Sequence, residues 1–283
     1  MRKVGSILFC FVPFLATMIL QFVITIPVAG VYLIRMLNSA NTGGINSLIE
    51  NAMSFSTDQG FLVTVSFIYA AANIIIFVFW YRAILRKQGI FRRTPFSVIK
   101  SLLPAILLSF GLYFLVVYFM TLLQNLFPAW LELYSETLKN IGLDDPFSLN
   151  IGVCIMLILY TVVLGPISEE LIFRGVTLSL AKKQMPFFAA NIFQAALFGL
   201  LHLNPIQGFY AFIIGLVFGY IAHNRGTIKA SVILHIIYNF IGMFIAALLP
   251  SSDSMPVYVH MLILAGSIIA TIFGIMWYCK KSV

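Results

Sequence analysis

Long apolar runs divide this chain from one end to the other, and they restrict its fold more than any other feature. Charged residues, Gly, Pro or Asn bound each run. The runs cover approximately 4–34, 61–81, 98–123, 149–166, 187–203, 208–223, 230–249 and 257–279. A helix needs about 20 apolar residues to cross a bilayer. Only 9% of the residues are charged, whereas soluble domains carry about 25%. The runs therefore predict an all-α, polytopic helical membrane protein with about eight transmembrane helices.

The basic residues are distributed unevenly between the two sets of loops. Of the 17 Lys and Arg residues, 15 lie at the two termini and in every second loop, and only Arg35 and Lys139 lie in the other loops. Seven of the nine acidic residues lie in those other loops. Loops rich in basic residues face the cytoplasm, so we expect a multi-pass protein of the cell membrane with both termini in the cytoplasm. The net charge of +8 therefore reflects topology in the lipid bilayer, and we expect no nucleic-acid partner.

The predicted helices fall into two parts that meet near residue 148. Residues 1–148 contain three predicted spans and the segment 125–141, which is too polar to span and has the pattern of an amphipathic helix at the outer interface. Residues 149–283 contain the remaining spans, together with carboxylates and histidines inside apolar runs. We expect N-terminal transmembrane helices with an outer-face amphipathic segment, followed by a helical bundle that carries the functional site.

Two adjacent carboxylates, Glu169 and Glu170, lie within an apolar stretch. A charged side chain at membrane depth costs roughly 2.5–3.5 kcal/mol and marks a functional position unless it is paired. Glu170 and Arg174 are four residues apart on one helix face, which predicts a structural ion pair. Glu169 is rotated by about 100° from Glu170 and has no charged partner on its own helix, so it is the candidate for chemistry. Gly165 and Pro166 predict a helix break just ahead of these acids.

Two of the four histidines have polar neighbours inside apolar runs. His202 ends the sequence FGLLH, and His235 begins HIIYN. Asn239 follows His235 at four-residue spacing and shares its helix face. His223 and His260 lie close to the ends of predicted spans, and we interpret both as structural. The sequence therefore offers Glu169, two imidazoles and one carboxamide as candidate functional groups.

The turns between helices bring these groups into one bundle. Glu169 and His202 are nearly equidistant in sequence from the turn at 182–186, so an antiparallel helical hairpin places them at the same level. A second turn near 225–226 returns the His235 helix, and the glycines of GLVFG permit close packing there. Straight spans would nevertheless put His202 near the outer face and His235 near the inner face, so tilt, a kink or a helix extended into the cytoplasm is required.

Three motifs occur in a fixed order in this region. They are EExxxR (Glu169, Glu170, Arg174), FxxxH (Phe198, His202) and Hxxx[ND] (His235, Asn239). In this order they resemble the motifs of the CPBP family of intramembrane proteases, which includes type II CAAX prenyl proteases and bacteriocin-processing, Abi-like enzymes. The resemblance covers residues 165–240, and it implies that 149–283 is a CPBP-like catalytic bundle.

The resemblance implies an intramembrane endopeptidase. Its substrate would be a membrane-embedded or lipidated protein or peptide. In this family Glu169 and His202 would activate a water molecule, and His235 and Asn239 would stabilise the oxyanion. The short loops and the absence of a recognisable targeting segment favour a bacterial origin.

Other interpretations of the same residues remain open. Glu169, His202 and His235 with a water would form a catalytic zinc set, although the chain has no HExxH motif, so we favour no metal and no other cofactor. A proton-coupled transporter could use the same groups as a relay, but the paired broken helices expected of one are missing from the sequence. A non-catalytic immunity or scaffold relative could also retain the motifs.

Overall fold

The computed structural model describes residues 2–39, 58–87, 97–245 and 255–280, and within these ranges the chain is helical with no strand. Six of the described helices are long and apolar enough to cross a membrane. They are Gly5–Arg35, Gln59–Arg86, Val98–Leu126, Ile151–Ala181, Pro205–Arg225 and Val257–Cys279. The prediction of an all-α, polytopic helical membrane protein is confirmed.

The count of eight full spans is not confirmed. The two remaining apolar runs form shorter helices, Phe187–Leu201 and Ile228–Phe244. The first has 15 residues and at 1.5 Å per residue reaches only about 22 Å, less than the roughly 30 Å of a hydrocarbon core. The apolar composition of both runs did not reveal that their helices are short.

The described helices are numbered here in chain order, with their bounds. They are α1 (Arg2–Leu8 and Val12–Ser39, joined by the 3-10 turn Phe9–Phe11), α2 (Gln59–Lys87), α3 (Val98–Leu126), α4 (Pro128–Asn140), α5 (Ile151–Ala181), α6 (Phe187–Leu201), α7 (Pro205–Arg225), α8 (Ile228–Phe240, continued by the π-turn Ile241–Ile245) and α9 (Val257–Cys279). Helix α4 coincides with the predicted amphipathic segment 125–141.

Three apolar cores hold the described helices together, and the two larger ones lie beside the predicted site. The first lies around α5 and includes Phe77 of α2, Phe173 of α5 and Phe198 of α6. The second lies around α3 and includes Leu108 of α3 and Leu234 of α8. Helix α7 contributes side chains to both cores, so it joins the two halves of the bundle beside the predicted site.

Helix α5 is longer than the predicted span 149–166, and the predicted break at Gly165 and Pro166 is wrong. The chain remains helical from Ile151 to Ala181. The proline is accommodated because the turn before it, Tyr160–Leu164, is a wider π-turn. Glu169 therefore lies within a continuous long helix, not at the start of a new one.

A tight turn ends α6 and begins α7 directly after His202. Leu203 adopts the left-handed conformation with φ of 52°. The Asn204 side chain then caps α7 by accepting hydrogen bonds from the Ile206 and Gln207 backbone N–H groups at 3.0 and 3.1 Å, and Pro205 fits the first helical position. Although straight spans would separate the two histidines, the His202 and His235 rings both lie next to the Phe198 ring, with centroid distances of 5.1 and 6.0 Å.

Gly215 and Gly219 of α7 allow a close helix approach, but their partner is not the predicted one. A Cβ atom on Gly215 would lie 3.1 Å from the Ala195 Cβ, and the Gly219 position abuts the Asn191 side chain. Both neighbours belong to α6, whereas the sequence suggested the His235 helix. The glycines therefore tighten the α6–α7 hairpin that carries His202.

The packing of α9 on α3 yields a first prediction. A Cβ atom at Gly274 would lie 2.8 Å from the Leu108 Cβ and 3.0 Å from the Leu108 Cα and N atoms. We expect Gly274→Ala to lower the free energy of unfolding in detergent by about 1–3 kcal/mol, because backbone atoms must move. The matched control is Gly266→Ala on the same helix, where nothing lies within 4 Å. Equal stability of the two variants would contradict the packing.

Candidate active site

A cavity of about 770 Å³ lies among α3, α4, α5, α6, α7 and α8. All four side chains predicted to be catalytic line it: Glu169, His202, His235 and Asn239. They come from three helices, so the turns bring together groups up to 70 residues apart in the sequence. Glu170 and Arg174 do not line the cavity and lie behind its wall, fully buried.

Glu169 and His235 approach each other at the cavity wall. The Glu169 Oε2 and His235 Nε2 atoms are 3.5 Å apart, and the Glu169 side chain is 19% exposed. The neighbouring Glu170 side chain is 0% exposed. The two adjacent acids therefore have different surroundings, and only Glu169 faces a space that a substrate or water could enter.

Glu170 joins two partners. Its Oε1 atom accepts a hydrogen bond from Arg174 Nη1 at 2.8 Å and another from His235 Nδ1 at 3.0 Å. The sequence predicted the first partner through the four-residue spacing but not the second. Glu170 therefore has two roles, since it pairs with Arg174 and also fixes the orientation of the His235 ring.

Arg174 is held from several sides at once. Its Nη2 atom donates to the Gly215 carbonyl of α7 at 3.3 Å. Its guanidinium carbon lies 4.4 Å from the centre of the Phe198 ring and 5.5 Å from that of Phe218. Aromatic faces attract a cation, and the attraction is strongest where water is excluded. The phenylalanine of the FxxxH motif therefore has a structural role here, since Phe198 packs on the arginine of the first motif.

The hydrogen bonds of both imidazoles place a proton on Nδ1. His202 Nδ1 lies 2.9 Å from the Phe198 carbonyl oxygen, which can only accept. His235 Nδ1 donates to the Glu170 carboxylate. In the neutral form each ring therefore has an unprotonated Nε2, and in His235 this atom is the one next to Glu169.

A backbone carbonyl anchors the Asn239 side chain. Its Nδ2 atom donates to the Thr161 carbonyl oxygen of α5 at 2.8 Å. The amide nitrogen carries two hydrogens, so one N–H is used by this bond and a second is left for a group in the cavity. The anchor fixes the plane of the amide relative to the helix that carries Glu169.

The other two histidines lie outside the cavity lining. The His223 ring stacks on Phe187 with centroids 3.8 Å apart, and its Nδ1 atom lies 3.0 Å from Lys182 Nζ. The His260 backbone carbonyl accepts a hydrogen bond from the Tyr118 hydroxyl at 3.0 Å. Both histidines lie near a helix end, and these contacts attach that end to neighbouring parts of the chain.

A zinc ion would require a third ligand beside Glu169 and His235. Their 3.5 Å separation is close to the ~3.4 Å between two ligands of tetrahedral zinc. Within the part of the chain that the structure describes, no group of three or more His, Cys, Asp or Glu side chains is placed to hold a metal ion. The predicted alternative ligand set Glu169, His202 and His235 is therefore not assembled as a metal site in this conformation.

Sequence reasoning missed the tyrosines of the cavity. Tyr134 of α4, Tyr160 of α5 and Tyr210 of α7 line it, and the hydroxyls of Tyr134 and Tyr210 are 3.4 Å apart. Tyrosines inside apolar runs are common, so composition gave no reason to single them out. The contact shows that α4 forms one wall of the cavity.

Comparison with known proteins gives one match. Residues 151–241 match a family model described as Type II CAAX prenyl endopeptidase Rce1-like. No curated protein sequence matches the chain, and no solved structure matches it. The matched region begins with α5 and ends just after Asn239, so it contains all four cavity residues and the buried Glu170 and Arg174.

The buried pair yields a second prediction. We expect Glu170→Ala or Arg174→Ala alone to lower the free energy of unfolding by about 3–5 kcal/mol, because each leaves a charge buried without its partner. The double variant should cost less than the sum of the single variants. Thermal and denaturant unfolding of purified protein in detergent measures this, with the exposed Glu132→Ala as control. Additive losses would show that the two side chains do not act as a pair.

Proposed function

We propose that the chain is an intramembrane endopeptidase that hydrolyses a peptide bond with a water activated by Glu169 and His202. The match of residues 151–241 to the type II CAAX prenyl endopeptidase family model supports this proposal. The observation that carries this proposal is the exposure of Glu169 to a cavity that it shares with His202, His235 and Asn239. A carboxylate at membrane depth is costly, and this one faces an internal space instead of a charged partner on its own helix.

The proposed reaction begins with a water bound between Glu169 and His202. Glu169 takes a proton from the water as its oxygen attacks the carbonyl carbon of the substrate, and the C=O bond becomes a C–O⁻ single bond. His202, with its proton fixed on Nδ1 by the Phe198 carbonyl, presents the Nε2 lone pair to the same water. When the tetrahedral intermediate collapses, the C–N bond breaks and Glu169 returns the proton to the leaving amine.

His235 and Asn239 are the proposed donors to the oxyanion. The second N–H of the Asn239 amide is available because the first is bound to Thr161. His235 Nδ1 already donates to Glu170, so donation from Nε2 requires the imidazolium form. The carboxylates of Glu169 and Glu170 lie on either side of that ring and would balance its charge.

The cavity supports a substrate that approaches from the membrane. Much of its wall is apolar. The apolar residues of the wall include Val116, Val117, Met120, Phe147, Ile214 and Met243. We therefore propose a membrane-embedded or lipidated peptide or protein as substrate. From the distribution of Lys and Arg we also propose that both termini face the cytoplasm.

Glu169→Gln is the third prediction and tests the base directly. The change keeps the shape of the side chain but removes its ability to accept the proton of the water, so we expect turnover to fall below about one part in a thousand. Cleavage of a fluorogenic peptide library by purified protein in detergent measures it. Thermal unfolding should stay near that of the native chain.

The control for this experiment is Glu132→Gln, which removes an exposed acid of α4 and should keep full turnover. Activity of Glu169→Gln within tenfold of the native chain would remove Glu169 as the base. A native chain that binds peptides but cleaves none would favour the non-catalytic alternative.

Metal dependence is the fourth prediction. With water activated by Glu169 and His202 alone, chelators should not inhibit, and Asn239→Ala should lower kcat by roughly 100- to 1,000-fold as an oxyanion donor is lost. In a zinc enzyme Asn239 would only support a ligand, and the loss would be about 10- to 100-fold. One equivalent of zinc by elemental analysis, with activity lost on chelation and restored by zinc, would overturn the metal-free mechanism.

A further inference from the structure

The π-helical turns of this chain are concentrated at the site. The turns Tyr160–Leu164 and Glu170–Thr177 flank Glu169 in α5, and Ile241–Ile245 follows Asn239 in α8. The other helices within 2–39, 58–87, 97–245 and 255–280 contain none. Such turns are rare and are frequently found at functional sites. The first of them frees a main-chain carbonyl that binds Asn239.

Main-chain hydrogen bonding leaves the Thr161 carbonyl without a backbone donor. In an α-helix it would accept from the Gly165 N–H, but in the π-turn the Gly165 N–H donates to the Tyr160 carbonyl instead. The next donor along the helix would be residue 166. That residue is a proline, and it has no N–H. Neither Gly165 nor Pro166 therefore donates a hydrogen bond to the Thr161 carbonyl.

Asn239 satisfies this carbonyl from another helix. Its Nδ2 atom lies 2.8 Å from the Thr161 oxygen, and both residues line the cavity. Almost all buried carbonyls in proteins have a partner, so the unpaired oxygen favours one orientation of the Asn239 amide. With one N–H bound in this way, the direction of the other N–H is fixed.

We propose that Pro166 is a positioning residue for Asn239. It acts by keeping the Thr161 carbonyl free of main-chain donors, both because it lacks an N–H and because its ring would clash with the carbonyl four residues earlier in a narrower α-helical turn. The oxyanion donor on α8 is thereby aligned with Glu169 on α5, three residues beyond Pro166. This inference rests on the proposed role of Asn239 in catalysis.

Pro166 also lines the cavity, so direct contact with substrate is the competing explanation of any effect. The two explanations differ in kinetics. An oxyanion donor acts in the transition state, so its misalignment lowers kcat with little change in KM, whereas loss of a uniform substrate contact raises KM.

The test is Pro166→Ala, which supplies an N–H within reach of the Thr161 carbonyl and removes the ring. On a peptide selected from the fluorogenic library, we expect kcat to fall about 10- to 100-fold with KM changed by less than about threefold. Pro166→Ser supplies the same N–H and should give the same changes in kcat and KM. If one of the two variants folds poorly, the other still provides the test. The matched control is Pro27→Ala, an exposed proline inside α1, which should leave kcat unchanged.

A double-mutant cycle with Asn239→Ala separates positioning from general damage to α5. If Pro166 acts through Asn239, Pro166→Ala should lower kcat much less in the Asn239→Ala background than in the native one. Retention of native kcat by Pro166→Ala, a rise in KM alone, or equal losses in both backgrounds would overturn the proposal.

The same cycle can be measured without catalysis. In the native chain Asn239→Ala leaves the Thr161 carbonyl without any donor, and in the Pro166→Ala chain the new N–H can replace the lost one. We therefore expect Asn239→Ala to lower the unfolding temperature less in the Pro166→Ala background. Additive shifts would overturn the proposed link. An inactive native chain with coupled shifts would instead refute the proposed function and leave the link intact.

Discussion

The hydrogen-bonded chain from Arg174 through Glu170 to His235 is the interaction on which the site depends. All three side chains are buried, and the two bonds measure 2.8 and 3.0 Å. In a medium of low dielectric constant an unpaired charge is expensive, so each member requires the next. The chain connects α5 to α8, and through the bond from Arg174 to Gly215 it reaches α7 as well. The helices that carry Glu169 and Asn239 are therefore held in register by a buried ion pair, Glu170 and Arg174, that lies outside the cavity lining.

Main-chain carbonyls complete this framework. Phe198 binds the Nδ1 atom of His202, and Thr161 binds the amide of Asn239. A backbone oxygen moves only if its helix moves, so these anchors are stiffer than contacts between two side chains. The polar groups of the cavity are thus oriented by the scaffold before any substrate arrives, which is how an enzyme avoids reorganisation during the reaction.

The apolar runs predicted the helical fold, and spacing along the sequence predicted one pairing of polar side chains. Four-residue separation indicated the pairing of Glu170 with Arg174, and the equal distances of Glu169 and His202 from one turn indicated a common level. The short length of α6 was not predicted, because apolar composition reports burial and not how far a helix reaches. The bond from His235 to Glu170 and the anchor of Asn239 were also missed. Both depend on atoms of a second helix, and the free Thr161 carbonyl exists only because of a local π-turn.

The short helices α6 and α8 have a consequence for the lipid around the protein. A hydrophobic segment shorter than the hydrocarbon thickness makes the surrounding bilayer thin or draws headgroups inward. With α6 about 22 Å long, headgroups and water would come several ångströms closer to the His202 end of that helix than they do elsewhere along the perimeter. The proposed hydrolysis would consume water, and a local dimple in the membrane would shorten the path by which water reaches a cavity lined with apolar side chains. Bilayer thickness would then influence turnover, because a thicker membrane must be deformed further.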